Sequence, residues 1–416
     1  MAQRSCEEVR SVKFLVVDDS ESIIQLVKAL LESAGHQVEA RKSSIQALQE
    51  VIGIRPDVIL LDLMMPEMDG FELCKRLREK PELSGVKIVI LSSKAYESDK
   101  RRTRQLGANG YIVKPIRQDT FIQELDSIIA KSLTLKYWGT RGTLPVPGAD
   151  SLRYGGNTSC VTLEAKGEPL LIFDAGSGIK KLSDYLMAEH KGQLTAKILV
   201  THPHWDHINA LPFFAPLYVQ GNEIEIMGSP HGDVNTLKIM TAQMDDLYFP
   251  VTIREFGARV FFRDLHEESF MVGRFSIDTL LLNHQGNCLG YRVGYEGRSV
   301  CFITDNELFP KNSDFYNPEY DARLTAFVHG TDILISDATY LDEEYPAKIR
   351  WGHSCAGEVA ALAARAQVKF LHLFHHDPDQ NDDAIDIKLF QAQRRLSDLG
   401  STVECICPAE GSSYTL

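Results

Sequence analysis

Four short apolar runs, separated by helix-like patterns, constrain the fold of the N-terminal part of this chain more than any other feature. The runs cover residues 14–17, 58–61, 88–91 and 111–113, and a more polar fifth strand is predicted over residues 37–41. Continuous apolar runs are typical of strands that are buried on both faces of a sheet. Between them, apolar residues recur at helical spacing. This alternation predicts an α/β fold with a doubly wound, five-stranded parallel sheet.

Polar residues follow these apolar runs at the points where the strands end. Asp18 and Asp19 follow the first run, and Asp62, Ser92 and Lys114 follow the others. The carboxyl ends of parallel strands share one edge of the sheet, where open α/β folds bind their ligands. Three crowded carboxylates repel one another, and a hard cation such as Mg²⁺ relieves that repulsion. We therefore expect a Mg²⁺ site beside a hydroxyl and an ammonium group that can meet a phosphoryl group.

These motifs resemble the receiver domain of two-component response regulators, which has a flavodoxin-like fold. The similarity rests on VVDDS, LLDLMMPEMDG, LSSK and GANGYIVKP, and the receiver domain is predicted to cover residues 1–131. The resemblance implies that Asp62 accepts a phosphoryl group from a sensor histidine kinase or a phosphotransfer protein. The Mg²⁺ ligands that it implies are Asp18, Asp19, Asp62 and the backbone carbonyl of Met64. The switch residues that it implies are Ser92, Tyr111 and Lys114.

From about residue 134 onward, glycines, β-type runs and histidines become dense. A strand predicted at residues 197–200 leads into THPHWDH, residues 201–207, and Pro203 excludes a regular helix at this point. The segment is therefore predicted to be a loop that wraps around metal ions. Imidazole and carboxylate together favour Zn²⁺, Mn²⁺ or Fe over Ca²⁺. The candidate ligands in the loop are His202, His204, Asp206 and His207.

Two metal ions need more ligands than this loop supplies, and later parts of the chain provide them. His284 lies in LLNHQG, Asp305 follows the apolar run at residues 300–303, and His375 follows the run LHLF. A further histidine, His353, lies in WGHS. The sequence therefore contains seven candidate ligands for two transition-metal ions, and His353 is an additional histidine that is not counted among them.

The order of these motifs resembles the metallo-β-lactamase fold, an αββα sandwich that binds metal ions along one edge, over residues 134–416. The resemblance implies a dinuclear metallohydrolase that holds two Zn²⁺, with Mn²⁺ or Fe as alternatives. Asp174, which lies in LLIFDAG, matches an early aspartate of the fold that orients the metal loop and is not a ligand. The implied ligands are His202, His204 and His284 for one metal, Asp206, His207 and His375 for the other, and Asp305 as the bridge.

Four segments, WGTRGTLPVPG, RYGGNTSC, WGHS and LFHHDP, resemble the branch of that fold that contains ribonuclease Z and phosphoribosyl cyclic phosphodiesterase. Members of this branch cleave phosphodiesters. The resemblance implies two catalytic residues, with Asp206 holding or receiving a proton and His353 protonating the departing oxygen. Ribonuclease Z carries a long tRNA-gripping arm, and the interval between His284 and Asp305 is too short for it. We therefore expect a small, cyclic or dinucleotide-type phosphodiester as substrate.

The combined interpretation is a response regulator whose output domain is a metal-dependent phosphodiesterase controlled by phosphorylation of Asp62. Two alternatives remain open. The same fold could carry a di-iron centre that senses oxygen or redox state without hydrolysis, or the same metal pair could hydrolyse thioesters or lactones. Members of both families commonly form dimers, so a homodimer is compatible with the interpretation.

Composition and charge exclude several other classes of protein. A net charge of −13 disfavours a nucleic-acid polymer as partner, because phosphate binding requires clustered Lys and Arg. Apolar runs are too short for a membrane span, and the N-terminus lacks the apolar core of a signal peptide. The eight cysteines form no CxxC pair. We therefore expect reduced thiols and a cytoplasmic location.

A glycine-rich stretch at residues 155–158 and two arginines, Arg141 and Arg153, are weaker candidates for phosphate binding. Backbone N–H groups in such a stretch can cradle a phosphate, but glycines more often serve tight turns and close packing. We therefore interpret the stretch as a turn and the arginines as partners in structural ion pairs.

Overall fold

The computed structural model describes residues 12–80, 83, 86–129, 133–165, 167–190, 193–247 and 249–416. The chain folds into two units, Met1–Lys131 and Ser132–Leu416. The predicted domain limits at residues 1 and 131 lie outside the described residues. Within the described part of the chain, no helix combines the length and the apolar composition needed to span a membrane.

The first unit is a five-stranded parallel sheet with helices between the strands. The strand order is β2-β1-β3-β4-β5, and every neighbouring pair is parallel. The strands are β1 (Lys13–Val17), β2 (Gln37–Arg41), β3 (Val58–Asp62), β4 (Lys87–Ser92) and β5 (Gly110–Val113). The helices are α1 (Glu21–Ser33), α2 (Ser44–Ile54), α3 (Gly70–Arg78), α4 (Glu97–Gln105) and α5 (Phe121–Ile129). The predicted doubly wound parallel fold is confirmed.

Burial explains why the central strands of this unit read as continuous apolar runs. Every residue of β3 is buried, and only the first residue of β1 and of β4 is partly exposed. Side chains from opposite faces of these strands enter two separate apolar clusters, one containing Leu15 and Ile59 and the other Phe14 and Val58. The edge strand β2, in contrast, has no fully buried residue, which accounts for its polar sequence.

The second unit contains two seven-stranded sheets. The first sheet has the order β11-β10-β9-β8-β7-β6-β19, and the second has the order β12-β13-β14-β15-β16-β17-β18. The strands of the first sheet are β6 (Leu133–Gly139), β7 (Cys160–Ala165), β8 (Leu170–Phe173), β9 (Thr195–Val200), β10 (Glu223–Gly228), β11 (Arg259–Asp264) and β19 (Ser413–Thr415). Those of the second are β12 (Ser269–Val272), β13 (Phe275–Leu281), β14 (Leu289–Tyr295), β15 (Arg298–Ile303), β16 (Ile333–Asp337), β17 (Phe370–Phe374) and β18 (Glu404–Ile406).

Three apolar clusters show that the two sheets pack face to face between layers of helices. One cluster joins residues of both sheets, and the rings of Phe173 and Phe302 stack within it at 5.0 Å. A second cluster covers the outer face of the first sheet, and a third covers that of the second. The helices of the unit are α6 (Ile179–His190), α7 (Trp205–Ile208), α8 (Thr236–Ala242), α9 (Pro318–Val328), α10 (Ala356–Arg365) and α11 (Asp382–Asp398). The αββα sandwich expected from the sequence is confirmed.

Candidate metal centre and phosphorylation site

The carboxyl ends of the parallel strands in the first unit bring an acidic cluster and a lysine together. The Lys114 ammonium lies 2.7 Å from Asp18 Oδ2 and 3.0 Å from Asp62 Oδ1. Carboxylate oxygens of Asp18, Asp19 and Asp62 lie within 4.8 Å of one another. Burial raises the pKa of Asp62, while the ammonium of Lys114 opposes that shift. This set of hard oxygen donors fits Mg²⁺.

The other residues predicted to respond to phosphorylation lie next to this cluster in the same sheet. Ser92 is fully buried at the end of β4, and its Oγ accepts a hydrogen bond from Lys94 N at 3.2 Å. The Tyr111 hydroxyl donates to the Lys94 carbonyl at 2.6 Å. Met64 N donates to Asp62 Oδ2 at 3.1 Å. The Met64 backbone therefore lies beside Asp62, and its carbonyl stays a predicted Mg²⁺ ligand.

The candidate metal centre of the second unit is built at strand ends. Thr201 and His202 follow β9, and Asp174 follows β8, its parallel neighbour. In the second sheet Asp305 and His375 follow β15 and β17. Asp174, Asp305 and His375 have φ values of 60°, 50° and 60°, in the left-handed region that few non-glycine residues adopt. Such backbone strain costs of the order of 1–3 kcal/mol per residue and concentrates at functional sites.

One group of candidate ligands combines three histidines with an aspartate. The possible ligand atoms of His202, His204, His284 and Asp305 all lie within 4.8 Å of one another. His284 Nε2 lies 3.3 Å from His204 Nδ1, and His202 Nε2 lies 3.5 Å from Asp305 Oδ2. Burial lowers the pKa of all three histidines, which favours the neutral imidazole that binds metals.

A second group lies directly beside the first. Asp206 Oδ2 is 3.1 Å from His207 Nε2 and 3.1 Å from His375 Nε2. The other oxygen of Asp305, Oδ1, is 3.2 Å from His207 Nε2 and 3.1 Å from His375 Nε2. Asp305 therefore faces the first group with one oxygen and the second group with the other, as a bridging ligand does. The structure brings together all seven residues predicted from the sequence.

Two buried nitrogen atoms show that this donor set fits metal ions. The Nε2 atoms of His202 and His207 are buried, and neither has a hydrogen-bond partner among the described residues. Both face carboxylate oxygens at 3.1–3.5 Å. Burial opposes protonation of His207, but Asp206, Asp305 and Asp174 outweigh it and hold its pKa well above the usual value. The surroundings therefore favour positive charge between imidazole and carboxylate, which divalent cations supply.

Asp174 fixes the metal loop from behind. The carboxylate is fully buried, and its Oδ1 accepts from Thr201 N at 2.8 Å and from Thr201 Oγ1 at 2.9 Å. Its Oδ2 accepts from Ser159 Oγ and from His207 Nδ1, both at 2.7 Å. This hydrogen bond occupies Nδ1 of His207, so the imidazole presents Nε2 to the metal centre. Asp174 belongs to none of the groups that could hold a metal ion within the described part of the chain.

His353 faces the same centre and is held by an aspartate that sequence analysis did not single out. His353 Nδ1 lies 2.9 Å from Asp337 Oδ2, and its ring stacks on His375 at 5.0 Å. Burial lowers the pKa of His353, but the charge and hydrogen bond of Asp337 outweigh burial and raise it to about 9. A ligand atom of His353 also lies within 4.8 Å of Asp305 and His375. Asp337 ends β16, so the strand-end signal that identified Asp62 could have identified it.

Glu307 is a second functional candidate that the sequence analysis missed. The side chain is buried, and its Oε1 accepts from Arg350 N at 2.7 Å while Oε2 accepts from Gly352 N at 2.8 Å. The Gly352 carbonyl in turn lies 2.9 Å from His284 Nδ1. Glu307 thus positions the WGHS segment, which orients the His284 ligand and carries His353. Only its place two residues after Asp305 could have suggested this role.

The metal centre lies in a cleft of about 440 Å³, a size typical of small-molecule sites. Besides ligands and His353, the cleft is lined by Thr143, Pro203, Trp205, Gln285 and Trp351. A larger cavity of about 1040 Å³ in the same unit contains none of the seven candidate ligands. Because the candidate metal ligands line the smaller cleft, we identify that cleft, and not the larger cavity, as the candidate active site.

The weaker phosphate-binding candidates serve structural roles. Arg141 is fully buried, and its guanidinium donates to the carbonyls of Gly155 and Gln380. Arg153 forms ion pairs with three aspartates of α11. A Cβ added to Gly155 would lie 2.2 Å from the carboxyl carbon of Glu410, so this glycine permits close packing of the turn. These contacts agree with the structural interpretation.

Comparison with known proteins assigns both units to families. A family model of the response regulator receiver domain matches residues 14–126, and one of a β-lactamase superfamily domain matches residues 171–376. PilH of Pseudomonas aeruginosa is 30% identical over 118 residues, which cover 28% of this chain and 98% of PilH.

Two solved structures resemble the larger unit at low sequence identity. The metallo-β-lactamase fold protein YhfI of Bacillus subtilis has a TM-score of 0.49 and 18% identity, and the match covers 68% of this chain and all of YhfI. The short form of human tRNase Z has a TM-score of 0.46 and 21% identity, with 68% of this chain and 98% of that chain covered.

The family matches agree with the strand order, the acidic cluster and the histidine-rich centre described above. A receiver domain implies a phosphodonor such as a histidine kinase or a phosphotransfer protein, and the metallo-β-lactamase fold implies a divalent metal. The chain belongs to the response-regulator family through its receiver domain, which is fused to a metallo-β-lactamase-fold domain of the β-lactamase superfamily.

Proposed function

We propose that this protein is a response regulator whose output domain hydrolyses small phosphodiesters, under the control of phosphorylation at Asp62. The observation that carries the proposal is that two adjacent groups of ligands share a centre at a cleft of about 440 Å³, which His353 also lines. Sites of this volume accept small molecules. The net charge of −13 supports a small substrate over a nucleic-acid polymer.

The seven ligand residues would hold two divalent cations, with Zn²⁺ as the first candidate and Mn²⁺ or Fe as alternatives. Bound cations supply Lewis acidity, which activates water and neutralises the charge that develops on a phosphodiester under attack. We propose that Asp206 acts as the proton acceptor, with Thr143 N donating to its Oδ2 at 2.7 Å and fixing that carboxylate in the cleft. His353, oriented by Asp337, is suited to donate a proton to the leaving oxygen.

In the receiver domain, we propose that Asp62 accepts the phosphoryl group and that Asp18, Asp19 and the Met64 carbonyl hold Mg²⁺ beside it. Lys114 lies 3.0 Å from Asp62 and can pair with the added negative charge. Ser92 and Tyr111 respond through the Lys94 segment, because Lys94 donates to Ser92 and accepts from Tyr111. A local charge change of this kind biases a two-state surface.

The experiment that tests the proposed activity is a substrate screen on metal-loaded protein. Chain loaded with Zn²⁺, Mn²⁺ or Fe is assayed with bis(4-nitrophenyl) phosphate and with small cyclic phosphodiesters, and metal content is measured on the same samples. We expect about two metal ions per chain and hydrolysis that disappears in Asp305→Ala. Hydrolysis equal in parent and variant would exclude this site as its source.

The same screen separates the other candidate functions. Two bound iron ions with no hydrolysis of any ester would favour a redox or oxygen sensor on the same fold. Turnover of thioesters or lactones without turnover of phosphodiesters would favour a thioesterase or lactonase that uses the same metal pair.

A further inference from the structure

The use of tryptophan in the second unit points to a residue that selects substrates. The chain has three tryptophans. Trp138 is a typical buried tryptophan, since its side chain is 6% exposed and its Nε1 donates to Thr162 Oγ1 at 2.9 Å. Trp205 and Trp351, in contrast, are 80% and 57% exposed and both line the metal cleft. Two large exposed rings that line the same polar cleft differ from apolar residues scattered singly over a surface, which need no explanation.

The two exposed rings differ in whether another side chain of the protein contacts them. The Lys348 ammonium lies 4.2 Å from the centre of the Trp351 ring, so one face of that ring already has a cationic partner. Among the described residues, the Trp205 indole makes no ring, cation or side-chain hydrogen-bond contact. Trp205 therefore presents the more accessible ring of the two.

The position of Trp205 relative to the metal centre is fixed by its neighbours in sequence. It lies between the ligand residues His204 and Asp206 and opens the short helix α7. Asp206 is in turn held by Thr143 N at 2.7 Å. A substrate whose phosphate lies at the ligand groups would thus meet the Trp205 backbone at a fixed place, with the exposed indole lining the same cleft.

We propose that Trp205 is a stacking platform for a planar ring that the substrate carries close to its scissile phosphate. The cleft volume of about 440 Å³ accommodates a phosphate, a sugar and one ring. The preferred substrates are accordingly nucleotide-like phosphodiesters, and Trp205 is the residue that discriminates them from phosphodiesters without a ring. This inference rests on the proposed function, because it names the substrate class of that site.

The test compares the binding of two phosphate esters that differ only in the base. Affinities of the Zn²⁺-loaded full chain for AMP and for ribose 5-phosphate are measured by calorimetry. Stacking of one base on an aromatic side chain typically changes affinity by about 5- to 140-fold. We expect AMP to bind more tightly by a factor in this range, and we expect Trp205→Ala to abolish that advantage without changing the affinity for ribose 5-phosphate. Trp205→Phe keeps a ring and should retain most of the advantage.

A matched control removes an exposed ring elsewhere. Phe390 is 63% exposed on α11 and does not line the cleft, so Phe390→Ala should bind both ligands as the parent does. Metal content is measured in each variant, because Trp205 adjoins two ligands. Equal affinities for AMP and ribose 5-phosphate in the parent, or no binding of AMP, would overturn the inference. An AMP advantage that survives Trp205→Ala but disappears in Trp351→Ala would overturn the assignment to Trp205.

Failure of this inference is distinguishable from failure of the proposed function. Hydrolysis of bis(4-nitrophenyl) phosphate without any preference for AMP would defeat the stacking role alone. A preference for AMP without hydrolysis of any phosphodiester would defeat the proposed function and leave a nucleotide-binding site.

Discussion

Replacing Asp174 with Asn tests how the metal loop is held, because the change removes charge and one acceptor without changing size. Both carboxylate oxygens accept hydrogen bonds, Oδ1 from Thr201 N and Oδ2 from His207 Nδ1. An amide has only one acceptor oxygen, so its NH₂ group must face one of these donors. If the NH₂ faces His207, the imidazole must move its proton to Nε2, and that tautomer cannot bind a metal ion. If it faces Thr201, a buried backbone N–H loses its acceptor.

The magnitude follows from these two orientations. Metal-free Asp174→Asn is not restricted to one orientation, because His207 then has no metal ion to bind through Nε2. The metal-bound protein must adopt the second and leaves the Thr201 N–H unsatisfied, which costs about 1–3 kcal/mol. The difference appears as a loss of metal affinity of about 5- to 150-fold, similar to the 10- to 100-fold typical of residues that orient metal ligands.

The assay is a competition titration with a zinc chelator, combined with elemental analysis. We expect weaker binding at the position formed by Asp206, His207 and His375 than in the parent. Asp332→Asn is the matched control, because Asp332 is also buried and accepts from Ser299 N at 2.8 Å but lies in neither ligand group. Unchanged metal affinity in Asp174→Asn, or an equal loss in Asp332→Asn, would refute the reasoning.

Three further predictions concern single residues. Asp62→Asn should prevent formation of an acyl phosphate with acetyl phosphate and Mg²⁺, and labelling as strong as in the parent would exclude Asp62 as the acceptor. Gly142→Ala should reduce metal content, because the added Cβ would lie 2.1 Å from His375 Cε1; Gly53→Ala, where nothing lies within 4 Å, is the control for loss of a glycine. His353→Ala should lower phosphodiester turnover by roughly 10²-fold or more at unchanged metal content, whereas loss of metal would reassign His353 as a ligand.

Strand-end reasoning accounts for most of what could be predicted from the sequence. Asp18, Asp62 and Lys114 were expected to meet because the carboxyl ends of parallel strands share an edge, and ion-pair distances of 2.7 and 3.0 Å join them. The same reasoning applied to the strands that precede His202, Asp305 and His375. This reasoning succeeds because a buried strand can be recognised in the sequence as an apolar run, and the first polar residue after that run marks the end of the strand.

Residues that act through the backbone could not be predicted in this way. Glu307 holds the WGHS segment by accepting from two backbone N–H groups, and no pattern of side chains in the sequence predicts such a contact. Asp337 did carry the strand-end signal, but only the fold shows that it meets His353, which lies 16 residues away in sequence. The exposure of Trp205 is likewise a property of the folded surface.

The measurement that tests the account most directly is the rate of phosphodiester hydrolysis as a function of the state of the receiver domain. Steady-state rates of the metal-loaded full chain are compared with and without beryllofluoride, a phosphoryl mimic, in the parent and in Asp62→Asn. An allosteric coupling of about 1–3 kcal/mol, which is typical of proteins, changes a rate by about 5- to 150-fold. We expect a change of this size in the parent and none in Asp62→Asn. Equal rates under all four conditions would contradict control of the hydrolase by the receiver, and no metal-dependent hydrolysis in any condition would contradict the proposed activity itself.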